Sequence, residues 1–324
     1  MNKSRSLTLI TCTVILFVNI QAHAETRLAN IFGDNMVLQC DKPIAVWGWD
    51  KPGEEVTIQF ADQSIETTAS AMGRWSATLK AESASFDERE FTVNGSTEVA
   101  FSGVLVGEVW HCGGQSNMEW TLRGSRDADV EIDSADFPEI RYIRLPKIAR
   151  PTRQDDFPVQ DKDHSEGNWK LCTSPAVENC TAVGYYFAKR LRRRLNVPVG
   201  LIDTAWGGTV AQHWCSEDTL RDIPDARPYV KQCDSAMRAW KDGGGESGAQ
   251  KRYQVDLKKW EADRVAAKAA GDREPRRPNA DAYKNPVFKR QPAGMFNGML
   301  APIAHYTVPG VLFYQGENNS FSVS

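Results

Sequence analysis

Val104-Leu105-Val106-Gly107-Glu108-Val109-Trp110 is an apolar run that ends in the glycine-rich turn His111-Cys112-Gly113-Gly114-Gln115-Ser116-Asn117. A short apolar run bounded by turn residues reads as a buried strand. Two later stretches have the same form. Val197-Pro198-Val199-Gly200-Leu201-Ile202-Asp203 ends in Thr204-Ala205-Trp206-Gly207-Gly208-Thr209, and Val308 to Tyr314 ends in Gln315-Gly316-Glu317-Asn318. Around Ala182 to Leu195, Val183, Tyr186, Phe187, Leu191 and Leu195 recur at helical spacing and predict a single apolar face. Helices alternating with apolar strands predict an α/β fold with a parallel sheet. Ligands of such sheets sit in loops at the carboxyl ends of strands, and all three polar loops fall at such ends.

Upstream, Arg27 to Ser102 has a different texture. Ile44 to Trp49 is strand-like and is followed by the turn Asp50-Lys51-Pro52-Gly53. Val56 to Phe60, Trp75 to Leu79, and Phe91 with Val93 alternate apolar and polar residues. Short strands at this spacing, without a good helix, predict a small β-sandwich over 25–103. Trp47 and Trp49 are read as buried aromatics before they are read as sugar-stacking platforms. Between the second and third apolar strands lies a charged segment, 216–286. Tyr229 to Lys241 and Gln250 to Ala270 predict a helical hairpin, parted by Gly243 to Gly248, with a solvated face. The core is then divided into 104–215 and 287–324.

The chain has 324 residues, 41 % of them hydrophobic and 25 % charged, and a formal charge of −3. This is globular composition, and its near-neutral balance gives no electrostatic footprint for nucleic acid. Residues 1–24 have the form of a signal peptide. Lys3 and Arg5 precede an apolar run, Leu7 to Ile20, and Ala22-His23-Ala24 offers small residues at a cleavage site. The predicted product is exported, periplasmic or secreted, with no membrane attachment after cleavage. Cys12 leaves with the leader, so Cys40, Cys112, Cys172, Cys180, Cys215 and Cys233 remain. An oxidising compartment permits disulfides among them, and Cys172 with Cys180, flanking a short loop, form the first candidate pair. No Cys/His spacing of a zinc site occurs. No metal or cofactor is expected.

Ser116, held on a tight turn at a strand end, is placed as an exposed nucleophile would be. A serine attacking a carbonyl needs donors for the oxyanion that forms. Gly207-Gly208 offers backbone N–H and Gln315 a side-chain amide. Taken alone, each of these motifs is an ordinary turn.

The residues also carry a resemblance. Gly107-Glu108-Val109-Trp110 with Gly114-Gln115-Ser116-Asn117-Met118-Glu119-Trp120 resembles the nucleophile block of the sialate O-acetylesterase family, a branch of the SGNH hydrolases. Asn30 to Gln39, Val46-Trp47-Gly48-Trp49, Pro198 to Ile202, Ala205 to Thr209, Asn297-Gly298-Met299-Leu300 and Tyr314-Gln315-Gly316-Glu317 match in the family's order. The resemblance implies a flavodoxin-like parallel sheet with helices on both faces. It also implies an exported enzyme that removes O-acetyl groups from a sugar or glycan without a metal. Ser116 would be the nucleophile. Its own N–H, the Gly208 N–H and the Gln315 side chain would form the oxyanion hole. Asn117, Glu119, Trp120 and Glu317 would line and support the substrate site.

The family's base comes from a later Asp-x-x-His block, which this chain is expected to lack. It therefore reads as a C-terminally truncated esterase of reduced activity. His111 lies in the serine turn, although the fold draws its base from a separate loop. His164, His213 and His305 occupy no family base position. The competing reading is a non-catalytic glycan-binding protein that stacks sugars on Trp47, Trp49, Trp120 and Trp206.

Overall fold

The longest strand of the molecule contains the apolar run Val104 to Trp110. In the computed structural model, which describes residues 25–158, 166–285 and 291–321, the strands in chain order are β1 (Arg27–Leu28), β2 (Val37–Gln39), β3 (Ile44–Trp49), β4 (Glu55–Phe60), β5 (Gln63–Thr68) and β6 (Arg74–Leu79). They continue with β7 (Ser85–Asn94), β8 (Glu98–Gly114), β9 (Asp136–Arg144), β10 (Trp169–Thr173), β11 (Val199–Asp203) and β12 (Gly310–Tyr314). The α-helices are α1 (Ser116–Glu119), α2 (Ala128–Asp133), α3 (Ala182–Leu195), α4 (Glu217–Asp222), α5 (Arg227–Asp242) and α6 (Gly245–Ala270). The expected leader, 1–24, and His164 lie outside the described residues.

β8 is 17 residues long and belongs to two regions at once. Its first half runs antiparallel to β7, from Asn94↔Glu98 onward. Its second half is parallel to β11, Val199↔Glu108 to Asp203↔Cys112, and to β12, Gly310↔Trp110 to Tyr314↔Gly114. β11 continues in parallel to β9, and β10 closes that edge antiparallel. The result is a mixed nine-stranded sheet, with a separate three-stranded sheet β1-β3-β6. The expected boundary between residues 103 and 104 thus falls inside one continuous strand. The smaller sheet shares a core with β4, β7 and β8, through Val46, Trp75 and Leu79 against Val56, Ile58, Phe60, Phe91 and Val93.

Alternation along the parallel strands sorts the two faces of the sheet. Val199, Leu201, Ile140, Tyr142 and Cys112 pack under α3. Val109, Ile143 and Ile202 point the other way, into the core shared with Phe32, Met36, Leu38, Ile303 and Tyr306. A helix therefore covers one face, while N-terminal chain and the helical segment that ends in Ala301–Ile303 cover the other.

α3 also packs otherwise than its spacing predicts. The buried residues are Ala182, Gly184, Tyr185 and Ala188, while Val183, Tyr186 and Leu195 are exposed. The small residues let the helix lie close on the sheet: a Cβ at Gly184 would stand 3.1 Å from the Cys112 sulfur and 3.2 Å from Leu201 Cδ1. The Thr181 hydroxyl caps the helix at the Gly184 N–H, as an N-cap residue should.

The hairpin forms, but α6 starts at Gly245 and so includes part of the glycine segment expected as its loop. It buries only Ala249, and α5 only Val230. The pair meets the rest of the chain through a small cluster of Leu220, Ala226 and Val230 with Cys215. It is a solvated projection. All six cysteines among the described residues are free thiols, Cys172 and Cys180 included, and these two share a side-chain hydrogen bond in the core.

Candidate active site

Three strand ends meet because the pairing of β8 continues past the strands themselves. Gln115 N–H donates to the Tyr314 carbonyl at 3.0 Å, Trp206 N–H to Gly114 at 3.0 Å, and Thr204 N–H to Cys112 at 3.0 Å. Gly114 takes φ +140°, and a Cβ there would run into the Tyr314 backbone, so the serine turn and the end of β12 fit only through a glycine. Ser116 then opens α1 on the surface, with the loops of residues 204–209 and 315–319 on its two sides.

Contacts show which expected residues come together. A Cβ placed on Gly207 would lie 3.4 Å from Ser116 Cβ, so that turn sits directly against the serine. Gly208 is exposed in the left-handed region at φ +77°. Neither the Ser116 nor the Gly208 N–H donates a backbone hydrogen bond among the described residues. Gln315 lies at the same place, but both hydrogens of its amide are committed. One is donated to Gln115 Oε1 at 2.9 Å and the other to the Thr209 carbonyl at 2.9 Å. Gln315 is therefore the knot that ties the three loops. Asn117 Nδ2 donates to Glu317 Oε1, whose second oxygen is buried without a partner. Trp120, 55 % exposed, stands beside the site with its ring against Gly124.

Glu119 faces inward. Its Oε2 accepts the Gly207 N–H, while Lys147 Nζ binds Oε1 and Arg144 lies 3.5 Å from it. Arg144 Nε is also 3.7 Å from Asp203 Oδ2, and Asp203 Oδ1 accepts the Ala205 N–H at 2.9 Å. Asp203 is 1 % exposed; burial pushes its carboxyl up to about 6, against the opposing charge of Arg144. Sequence reading placed Glu119 in the site but missed Arg144, Lys147 and Asp203. One signal for them exists: an acid at the end of the apolar run Leu201-Ile202-Asp203.

No histidine hydrogen-bonds to Ser116 among the described residues. His111 Nε2 is 2.7 Å from the Thr204 hydroxyl, and burial pushes the ring's pKa down to about 4. His213 is buried with Nε2 2.8 Å from the Tyr229 hydroxyl, and His305 packs on Trp47 with ring centroids 5.8 Å apart. The expectation that the sequence holds no Asp-x-x-His needs correction, since Asp161-Lys162-Asp163-His164 has that spacing. It precedes the Gly208 and Gln315 loops and lies outside the described residues. Among the described residues, no group of three or more His, Cys, Asp and Glu side chains is placed to hold a metal.

Ser116 is thus a surface serine at the end of a strand of a mixed α/β sheet, with the Gly207–Gly208 turn packed beside it. The architecture is similar to that of a carbohydrate acetylesterase from Xanthomonas citri, with a TM-score of 0.66 and 27 % identity over 92 % of this chain and 53 % of that one. Sialate O-acetylesterase of Mus musculus is 24 % identical over 335 residues, covering 96 % of this chain and 55 % of the relative. The Homo sapiens protein is 23 % identical over 318 residues, covering 94 % and 51 %. The chain spans about half the length of the curated relatives it matches. No family model matches it. These likenesses support a place for the chain beside the sialate O-acetylesterases and the carbohydrate acetylesterase.

Proposed function

We propose that the protein hydrolyses acetyl esters on sugars through a serine nucleophile, the sialate type of substrate being one member of that class. The observation that carries this reading is the convergence of Ser116, the Gly207–Gly208 turn and Gln315 at three strand ends. Ser116 Oγ bonds to the acetyl carbon, and the carbonyl electron pair moves onto its oxygen. The N–H groups of Ser116 and Gly208 receive that oxyanion. Gln315 joins them when it exchanges one of its two present acceptors for the oxyanion. Collapse of the tetrahedral intermediate breaks the bond to the sugar oxygen, which leaves as the hydroxyl with the proton taken from Ser116. Water then repeats the attack on the acyl-enzyme and releases acetate.

The proton needs a carrier in both halves, and His111, His213 and His305 are engaged elsewhere. Asn117, Trp120 and Glu317 rim the serine and are assigned to sugar contact. In this reading residues 25–103 form a supporting β unit, 104–215 and 287–324 carry the site, and 216–286 are an insertion. Export follows from the leader-like 1–24; no helix among the described residues is long and apolar enough to cross a membrane.

The test is acetate release from 4-nitrophenyl acetate and from O-acetylated sugars, compared between the wild type and Ser116→Ala. Turnover that disappears in the variant supports the reading, and equal turnover refutes it. One observation favours glycan binding instead: a groove of about 640 Å³ lies under Trp47, Trp49, Arg74, Ser76, Phe296 and His305. Glycan affinity that survives Ser116→Ala and falls with Trp47→Ala, without any hydrolysis, would decide for that alternative.

A further inference from the structure

Both oxygens of Glu119 are engaged within the protein. One oxygen accepts the Gly207 N–H, and the other takes Lys147 and, at 3.5 Å, Arg144. The turn rests on this carboxylate, because a Cβ at Gly207 would stand 2.8 Å from Glu119 Oε2. Two residues earlier, Asp203 holds the Ala205 N–H at 2.9 Å, and Arg144 lies between the two acids. The loop that leaves β11 is thus fastened at alternate N–H groups by two carboxylates sharing one guanidinium. An N–H bound to a carboxylate makes a shorter and stronger bond than one bound to a neutral oxygen. A bare acid beside a developing oxyanion would repel it, and Lys147 with Arg144 offsets that charge.

We infer that Glu119 is a positioning residue: it holds the Gly207 N–H so that the next one, Gly208, is aimed at the acyl oxygen on Ser116. This rests on the esterase reading for its catalytic consequence, but the positioning itself can be read without turnover. Donors set in advance contribute most of such a site's effect, and displacing them by about 1 Å costs on the order of 10²-fold.

The experiment follows the Gly207 and Gly208 amides of the full chain by NMR and hydrogen exchange, alongside kinetics on 4-nitrophenyl acetate. Glu119→Ala should speed Gly207 exchange by at least about tenfold and move its resonance, with core amides of β11 unchanged. It should lower kcat ~10–100-fold and leave KM within about twofold. Glu119→Gln keeps an acceptor oxygen and should recover most of both effects; it also serves if the alanine variant does not fold. A Gly207 amide unmoved in both variants overturns the inference, as does a rise in KM at constant kcat. A wild type without turnover counts against the esterase reading alone, and the Gly207 amide then decides this inference by itself.

Discussion

β11 and β12 are both parallel partners of β8, and each delivers one loop to the serine, yet they are built differently. All five residues of β11 are buried, and it is paired on both edges, to β8 and β9. β12 pairs with β8, and Val311, Phe313 and Tyr314 on it are 52 %, 58 % and 47 % exposed. The loops are fastened accordingly. The one after β11 is held by buried acids and their cations, the one after β12 by neutral amides, Gln315 to Gln115 and Thr209, and Asn319 to Ala211 and Gln212. Half of the site therefore stands on a rigid base with fixed charges. The other half stands on a softer strand and depends on side-chain hydrogen bonds, each worth only ~1 kcal/mol net.

The largest expected effect sets the scale for both halves. Ser116→Ala should lower ester turnover at least ~10³-fold, as the loss of a nucleophile does in serine hydrolases. The comparison is then broken or sharpened by one variant per loop. Gly207→Ala must displace the Glu119 carboxylate and should cost ~10²-fold in kcat, whereas Gln315→Ala, on the softer arm, should cost ~10-fold. Steady-state kinetics of the two variants check this, and equal losses would erase the distinction between the loops.

Stability offers the same contrast. Leu201→Ala removes a fully buried side chain from β11 and should cost ~2–5 kcal/mol in urea unfolding. Phe313→Ala on β12 should cost less than ~1 kcal/mol, because that ring is 58 % exposed. A large loss at Phe313 would show β12 to be covered in solution.

The smallest effect is electrostatic. The Asp203 carboxyl has a folded pKa of about 6 against an ordinary 3.8, since burial penalises its charge. Its contribution to stability is therefore complete below the ordinary value and is lost as pH rises through the folded one. The wild type should lose at most ~1.4 kcal/mol per pH unit in that window relative to Asp203→Asn. Urea midpoints from pH 4 to 7 for both proteins measure the difference. An opposite slope would mean that Arg144 outweighs the desolvation.

Much of this was legible in the sequence. The three strand ends were readable because apolar runs stop abruptly at glycine and amide residues. The length of β8 was not, because Glu98 to Gly103 alternates like any half-exposed strand and a glycine at 103 reads as a boundary, whereas the strand runs on through it at φ +68°. The buried face of α3 was misread for a related reason. Periodicity ranks side chains by size, whereas close packing on a sheet selects Gly184 and Ala188. The role of Glu119 escaped because its partners are a backbone N–H and two cations 25 and 28 residues away, a pattern no local motif encodes.

The central claim is that the three loops make Ser116 a nucleophile toward acyl groups. Intact-mass analysis with peptide mapping, after exposure to a fluorophosphonate ester, tests it most directly. The account predicts one covalent adduct, on the peptide bearing Ser116, absent from Ser116→Ala and slowed in Gly207→Ala. A chain that stays unlabelled, or is labelled elsewhere, would contradict it.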